Sequence, residues 1–442
     1  MLRENTFLET LLRFGRKVIP KPIFQLFQPL YHWCLAWFGA LIYGFPGRSL
    51  KIIGVTGTKG KSSVVYIASK IFEEAGISVA AIGSICFKIK DREWPNELKM
   101  TMPGRFKLQK FLKSAKNTEC THVILEVTSE GIKQKRHAGI RFDAAAFTNL
   151  APEHIESHGS FEKYREAKLK LFKAVKSGGT IIVNADDENA DYFLDFPVKN
   201  KIGFGLNKIQ NYITPDNYTI DEKGITFTLN GVEFHSALLG EFNLYNILAA
   251  LSIARAYNIN LETAKRAIEK IKILAGRMQE IENNRDLKIF VDYAHTPDSL
   301  KATYKILQPM AHKKRGKLIC LFGATGGGRD KWKRPKMGEI AAEYCDEIIL
   351  TTDDPYDEKP SEIIDEIETG ILLATNSGLR PILYYKIPDR KEAIKKALSI
   401  ARQKDVIILS GKGSETSMVV AGGKKIPWSD AYEVEKVLSK NL

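Results

Sequence analysis

The run GVTGTKGKSS, residues 54–63, constrains this chain more than any other feature, because it stands between a β-rich segment, KIIGV, and a helix predicted from Ser62 to Glu74. A strand that passes through a glycine turn straight into a helix belongs to an open α/β sheet. Gly57 and Gly60 let the backbone turn tightly enough for its N–H groups to converge on phosphate oxygens. The N-terminus of the following helix adds partial positive charge there. Lys61 can reach terminal phosphates, and the Ser62 hydroxyl can ligate Mg²⁺. Thr58, Lys59 and Ser63 complete the loop. Val55 occupies the first glycine position of the strict G-x-x-x-x-G-K-[ST] spacing. The loop predicts ATP binding without choosing a reaction, since kinases, GTPases and ligases share it.

Beyond the loop, short β-rich runs alternate with amphipathic helices. ISVAAIG, THVILEV, FDAAAFTN and TIIVNA read as strands, and RFKLQKFLKSA and YREAKLKLFKAV as helices. This order predicts a parallel sheet covered on both faces. Between about Tyr212 and Leu239 the pattern becomes alternating strands, with a hairpin turn at Asn230-Gly231. Helices are predicted at Asn243–Tyr257, where Asn243 suits a helix cap, and at Leu261–Ile271. A second set of strand candidates follows: LKIFVDYA, KLICLFGA, DEIILTTD and DVIILSG. The expected fold is α/β. An N-terminal segment (1–48) precedes a central nucleotide-binding domain (49–274) with a parallel sheet, and a Rossmann-like domain (275–442) follows.

The formal net charge of +14 favours anionic partners. The basic residues show no aromatic interleaving, which argues against a nucleic-acid groove. Cys34, Cys86, Cys120, Cys320 and Cys345 are scattered, with no CxxC pair, and suggest reduced thiols in a cytoplasmic protein. Between Lys21 and Arg48 no charged residue occurs, and LYHWCLAWFGALIYGF is densely aromatic. Pro22, Pro29 and Pro46 are expected to keep any helix there below membrane-spanning length. Two readings of residues 22–46 stand: a helix packed on the first domain or on a partner, and a peripheral membrane contact.

Taken in order, TGTKGKSS, ILEVTSEG, FTNLAPEHIESHGSFEKYREAKLKLF, LLGEFNLYNILAAL, AGRMQ, VDYAHTPDSL and GKGSE resemble the motif series of the Mur ligases over roughly residues 50–430. The likeness is greatest to the branch that adds a third residue, a diamino acid, to UDP-N-acetylmuramoyl-dipeptide. The resemblance implies a cytoplasmic ATP- and Mg²⁺-dependent ligase of peptidoglycan precursor synthesis. Its substrates would be a UDP-muramoyl-peptide and an amino acid, joined through an acyl phosphate. It also implies that Glu126, at the end of the strand THVILE, holds Mg²⁺ with Ser62, that His154 serves a second Mg²⁺, and that Lys168 is carbamylated and orients Lys61. By itself Lys168 reads as part of a solvated basic face with Lys163, Lys170 and Lys173. Asn246 matches an adenine contact, Arg277 a phosphate or ribose contact and Asp292 a ribose contact. Thr101, Thr128 and Arg136 fall where the family contacts the muramoyl-dipeptide. Arg329 or Arg334 would take the α-carboxylate of the amino acid, and Gly411 and Glu415 its distal end.

Several positions depart from the family pattern. Only 53 residues precede the loop, where the family has a uridine-binding domain. Glu130 and Ser414 replace histidines. Where diaminopimelate-specific members read D-N-P-R, with the Arg on the distal carboxylate, this chain has Asp353, Asp354, Pro355 and Tyr356. Asp354 can pair with a distal ammonium, so a lysine-like amino acid is expected. The competing readings are a folylpolyglutamate-type ligase, an amide ligase on lipid-linked muropeptide, and a nucleotide-binding scaffold without catalysis. Against the first stand GKSS and DYAHTP, and against the second the absence of a cysteine-rich zinc insertion.

Overall fold

The computed structural model describes residues 21–98, 100–153, 158–207, 211–328 and 330–440. Its first sheet comprises β1 (Lys51–Thr56), β2 (Val79–Ile82), β3 (Cys86–Ile89), β4 (Arg92–Pro95), β5 (His122–Glu126), β6 (Phe142–Phe147), β7 (Val175–Asn184) and β8 (Asn200–Phe204). They lie in the order β4-β3-β2-β5-β1-β6-β7-β8. The pairs from β2 to β8 are parallel, whereas β3 and β4 add an antiparallel edge. Alternation along β1 divides the core. Ile53 and Val55 join the side chains of helices Lys61–Glu74, Glu241–Ala256 and Leu261–Lys270. Ile52 joins those of helices Arg105–Asn117 and Phe161–Lys173. Burial on both faces is what makes such strands read as continuous apolar runs.

A three-stranded sheet follows, with β9 (Asn217–Asp221), β10 (Gly224–Leu229) and β11 (Val232–Ser236). Its β10–β11 turn holds Asn230 at φ 49° and Gly231 at φ 77°, the positive pair that a two-residue hairpin needs.

The third sheet contains β12 (Gln279–Ile281), β13 (Lys288–Asp292), β14 (Leu318–Phe322), β15 (Glu347–Leu350), β16 (Leu383–Lys386) and β17 (Val406–Ser410), in the order β12-β13-β17-β14-β15-β16. Only β12 runs antiparallel to its neighbour. Helices Pro297–Lys313, Lys333–Tyr344 and Pro360–Asn376 cover one face, and Arg390–Ile400 with Asp430–Lys440 the other. A β-ribbon of β18 (Ser417–Val420) and β19 (Lys424–Pro427) lies beside it.

Three sequence expectations are corrected. The prolines do not shorten the N-terminal helix, which spans 22 residues, Lys21–Ile42. Pro22 falls in the first turn, where a backbone N–H has no helical partner anyway, and Pro29 forfeits one backbone bond while the helix continues. No described helix is long and apolar enough to cross a membrane. The cysteines are not all reduced: Cys320 in β14 and Cys345, just before β15, form a disulfide. Their Cα atoms stand 6.1 Å apart because the two strands are neighbours, a proximity their spacing of 25 residues did not reveal. Asn243 does not cap its helix. That helix starts at Glu241 behind Gly240, and the Asn243 amide donates back to Leu239 O at 2.8 Å.

Three histidines, one buried and two partly buried, bear on stability. His122 sits between the Phe72 and Tyr257 rings. Burial pushes His122 and His137 down to about 4, and His295 to about 3. The unfolded chain takes up these protons near pH 6.5, the folded chain only near 3–4. Stability present above pH 6.5 is therefore lost as pH falls towards 4. The urea midpoint should drop between pH 7 and pH 5, by on the order of a few kcal/mol in stability at about 1.4 kcal/mol per pKa unit. A midpoint unchanged over that range would refute the buried neutral state.

Candidate active site

The site starts where β1 and β5 end side by side. Val55 pairs with Glu126 in parallel register, so the phosphate loop after Thr56 and the last carboxylate of β5 share one sheet edge. Glu126 is almost fully buried. Its Oε2 accepts from Ser62 Oγ at 2.7 Å and from the Ser84 amide at 2.9 Å. Gly57 has φ +152°, and a Cβ there would fall 1.9 Å from Thr148 Oγ1. Gly60, at φ +82°, would meet Asn246 Oδ1 at 2.2 Å. Both positions thus admit only glycine.

The segment after β6 braces the loop from the other side. Thr58 N donates to Asn149 O at 2.8 Å, Lys59 N to Asn149 Oδ1 at 2.8 Å, and Thr148 Oγ1 to Lys59 O at 2.6 Å.

Two lysines lie inside this arrangement. Lys61 Nζ donates to Thr58 O at 2.8 Å and Lys168 Nζ to Gly57 O at 2.6 Å. Ser160 caps the helix Phe161–Lys173, whose buried stripe is Tyr164, Ala167, Lys168, Leu171 and Phe172. Lys168 therefore points inward, 4.4 Å from the centre of the Tyr164 ring. Burial lowers the affinity of both amines for a proton, and the charge of Lys61 lowers that of Lys168 further.

A cavity of about 620 Å³ opens from the loop to the third sheet. It brings together Thr58, Lys59, Gly60, Lys61, Ser62, Ser63, Thr101, Glu126, Thr128, Asn246, Arg277, Asp292, Asp354, Gly411 and Glu415 of the residues expected from sequence. Asp292, at the end of β13, accepts from the Met278 and Ala294 amides, each at 2.8 Å. The Arg277 guanidinium lies 4.3 Å over the Tyr293 ring. Gly57 and Lys168 stand behind the loop rather than on the cavity wall.

At the far end, Lys412 Nζ lies 2.7 Å from Asp354 and from Glu415 and 3.4 Å from Asp353. Burial disfavours its charge, but the three carboxylates outweigh this and hold the ammonium charged. These acids form the only cluster with metal-ligating geometry among the described residues. Lys412 already supplies a cation there.

Other expected residues are placed differently. Arg334 is fully buried and bound to Glu358, Glu366 and Thr325 O. This corrects its reading as a carboxylate ligand, because its charge is spent inside the fold. His154 and Arg329 lie outside the described residues. Arg136 is half-buried and donates to Met102 O and to the Gln134 side chain. Thr128, although on the cavity wall, uses its hydroxyl to cap the short helix Ser129–Lys133.

Sequence reasoning passed over Glu153 and Lys333, both on the cavity wall. Glu153 accepts from Lys59 at 3.0 Å. It also lies 3.7 Å from His295 Nε2. Because His295 is held neutral, that longer contact is no ion pair. Glu153 precedes His154 in the motif APEH, and Lys333 follows the glycine-rich turn GGGRDKWK, so each stood beside a recognisable signal.

A phosphate loop facing a second α/β unit across a shared cavity defines a nucleotide-dependent enzyme. The family model for the Mur ligase middle domain matches residues 55–254, and that for the Mur ligase glutamate ligase domain matches residues 276–413. The chain is 33% identical over 437 residues to a UDP-N-acetylmuramyl-tripeptide synthetase of Roseiflexus sp., covering 95% of this chain and 84% of that protein. It is 36% identical over 410 residues to a UDP-N-acetylmuramoyl-L-alanyl-D-glutamate–2,6-diaminopimelate ligase of Caldanaerobacter subterraneus, covering 90% and 80%. A solved structure of a ligase of the latter name matches with a TM-score of 0.58 at 30% identity, covering 89% of this chain and 79% of that one. The chain belongs to the Mur ligase family, and is an ATP-dependent, ADP-forming amide ligase.

Proposed function

We propose that this ligase adds a lysine-like amino acid to the free carboxylate of a UDP-N-acetylmuramoyl-dipeptide. One observation carries the reading: a single cavity joins the phosphate loop and Glu126 at one end to the Asp353–Asp354–Glu415 cluster at the other. We divide the chain into a segment 1–48, a central domain 49–274 and a C-terminal domain 275–442. The change from the second sheet to the third supports this division.

In this reading the backbone of residues 57–60 and Lys61 align the triphosphate. Asn246 meets the adenine, while Arg277 and Asp292 approach the ribose and phosphates. The family works with ATP and Mg²⁺, and the oxygen donors here suit that ion. Ser62 and Glu126 would hold one such ion and His154 a second, with Lys168 once carbamylated as a further ligand, and their charge would offset that of the phosphates. The acceptor carboxylate, held near Thr101 and Thr128 on the cavity wall, takes the γ-phosphoryl group as ADP departs. The amine of the amino acid then attacks the acyl carbon, phosphate leaves, and the amide forms.

Specificity rests on charge. Among the described residues, Asp353, Asp354 and Glu415 gather around Lys412 at the far end of the cavity, where Tyr356 stands in place of an arginine. A distal ammonium is favoured there and a distal carboxylate repelled. Purified protein offered UDP-N-acetylmuramoyl-L-Ala-D-Glu with a panel of amino acids should turn over lysine at least about tenfold faster than meso-diaminopimelate, the equivalent of about 1.4 kcal/mol. Phosphate release and product mass read the result. Equal or faster turnover of meso-diaminopimelate overturns the lysine assignment, and no turnover with any amino acid overturns the acceptor.

A further inference from the structure

Away from the cleft, the helix Lys21–Ile42 turns the wrong face to water. Its inward residues are small or polar: His32, Ala36 and Ala40 are buried, and Gly39 lies against the Phe106 ring. Outward stand Leu30, Trp33, Trp37, Phe38, Leu41 and Ile42, at the i, i+3, i+4 spacing of a single helical stripe. Exposure along it runs from 38% at Trp37 to 63% at Leu41. The Trp33 and Trp37 rings lie 5.7 Å apart, and Trp37 lies 5.7 Å from Phe45, so the band is continuous. A contiguous exposed stripe of this kind marks an interaction surface.

Among the described residues, the charge next to the stripe is basic. No acidic residue falls between Lys21 and Arg48. The Arg48 guanidinium sits 4.2 Å over the Phe45 ring, at the end of the band. The adjoining helix Arg105–Asn117 meets it through Phe106, 6.3 Å from Phe38. That helix has no acid and presents Lys110 and Lys116 exposed and Lys113 half-exposed. A second copy of this chain seated on the same face would bring these cations against their own kind. An anionic lipid leaflet offers both complements, apolar chains for the aromatic stripe and phosphates for the cations.

We propose that this face seats the protein on an anionic bilayer. The Trp and Phe side chains enter the headgroup region, and the Arg105–Asn117 helix meets lipid phosphates. The proposal does not depend on which substrates the cavity takes.

The test is co-sedimentation of the full chain with vesicles of phosphatidylcholine alone and of phosphatidylcholine mixed with phosphatidylglycerol, at low and high salt. Binding to the anionic vesicles should exceed binding to the neutral ones by about tenfold or more, fall with salt, and shift tryptophan emission to the blue. The variant Trp33→Ser/Trp37→Ser/Phe38→Ser should lose binding while its circular dichroism and its ATP turnover stay unchanged. Lys110→Glu/Lys116→Glu, which leaves the stripe intact, should lose the preference for anionic lipid. Failure to sediment with anionic vesicles, or equal binding to both kinds, overturns the proposal. So does a dimer in solution that the triple variant dissolves.

Discussion

Replacing Lys61 by alanine should lower the rate of ligation by at least about a thousandfold, the scale expected when a preorganised donor to developing phosphate charge is removed. The side chain is half-buried on the cavity wall, with Nζ 2.8 Å from Thr58 O. Lys59, the nearest alternative, is committed to Glu153. The variant should fold, because truncation removes a half-buried charge and lets Thr58 O find water. Single-turnover phosphate release, with circular dichroism as the folding control, reads the outcome. A Lys61→Ala enzyme within about tenfold of the parent rate would remove the loop from the chemistry.

Lys168 is the second position where a large effect is expected, for a different reason. Carbon dioxide reacts with an unprotonated amine, and this amine has lost proton affinity through burial and the charge of Lys61. The product is an anion beside Lys61 and Glu126, converting a buried amine into a group that can orient Lys61 and ligate metal. Lys168→Ala should therefore lose about a hundredfold or more of its rate. Lys168→Arg should do no better, since a guanidinium stays protonated and cannot form the carbamate. Protein equilibrated with ¹³C-labelled carbon dioxide should show one slowly exchanging carbamate resonance that Lys168→Ala lacks. Full activity of Lys168→Arg, or no such resonance in an active enzyme, would contradict the modification.

Lys168 also shows where sequence reading stopped short. Counted with Lys163, Lys170 and Lys173 it looks like one cation of a solvated face. Placed on the period of Tyr164, Ala167, Leu171 and Phe172 it is a lysine on the apolar stripe, which is where it lies. Strands were legible wherever both faces are buried, as in THVILE and DVIILS, because apolar runs bounded by turns leave little alternative. The edge pair β3 and β4 was not, since REWP is largely exposed and gains its pairing only from a neighbour. The loop and Glu126 followed from local pattern plus strand ends. Arg334 did not, for its burial depends on Glu358 and Glu366, 24 and 32 residues away in the chain. Nor did the role of Lys412, whose charge is set by acids from two loops.

Gly276 turns the chain from the second sheet towards the third at φ +63°, and a Cβ on it would strike the Ser414 amide at 1.9 Å. The joint between the two halves of the enzyme is thus in touching distance of the loop that ends in Glu415. Any hinge motion at this joint would therefore be felt at the acidic end of the cavity, where Asp354 and Glu415 meet Lys412.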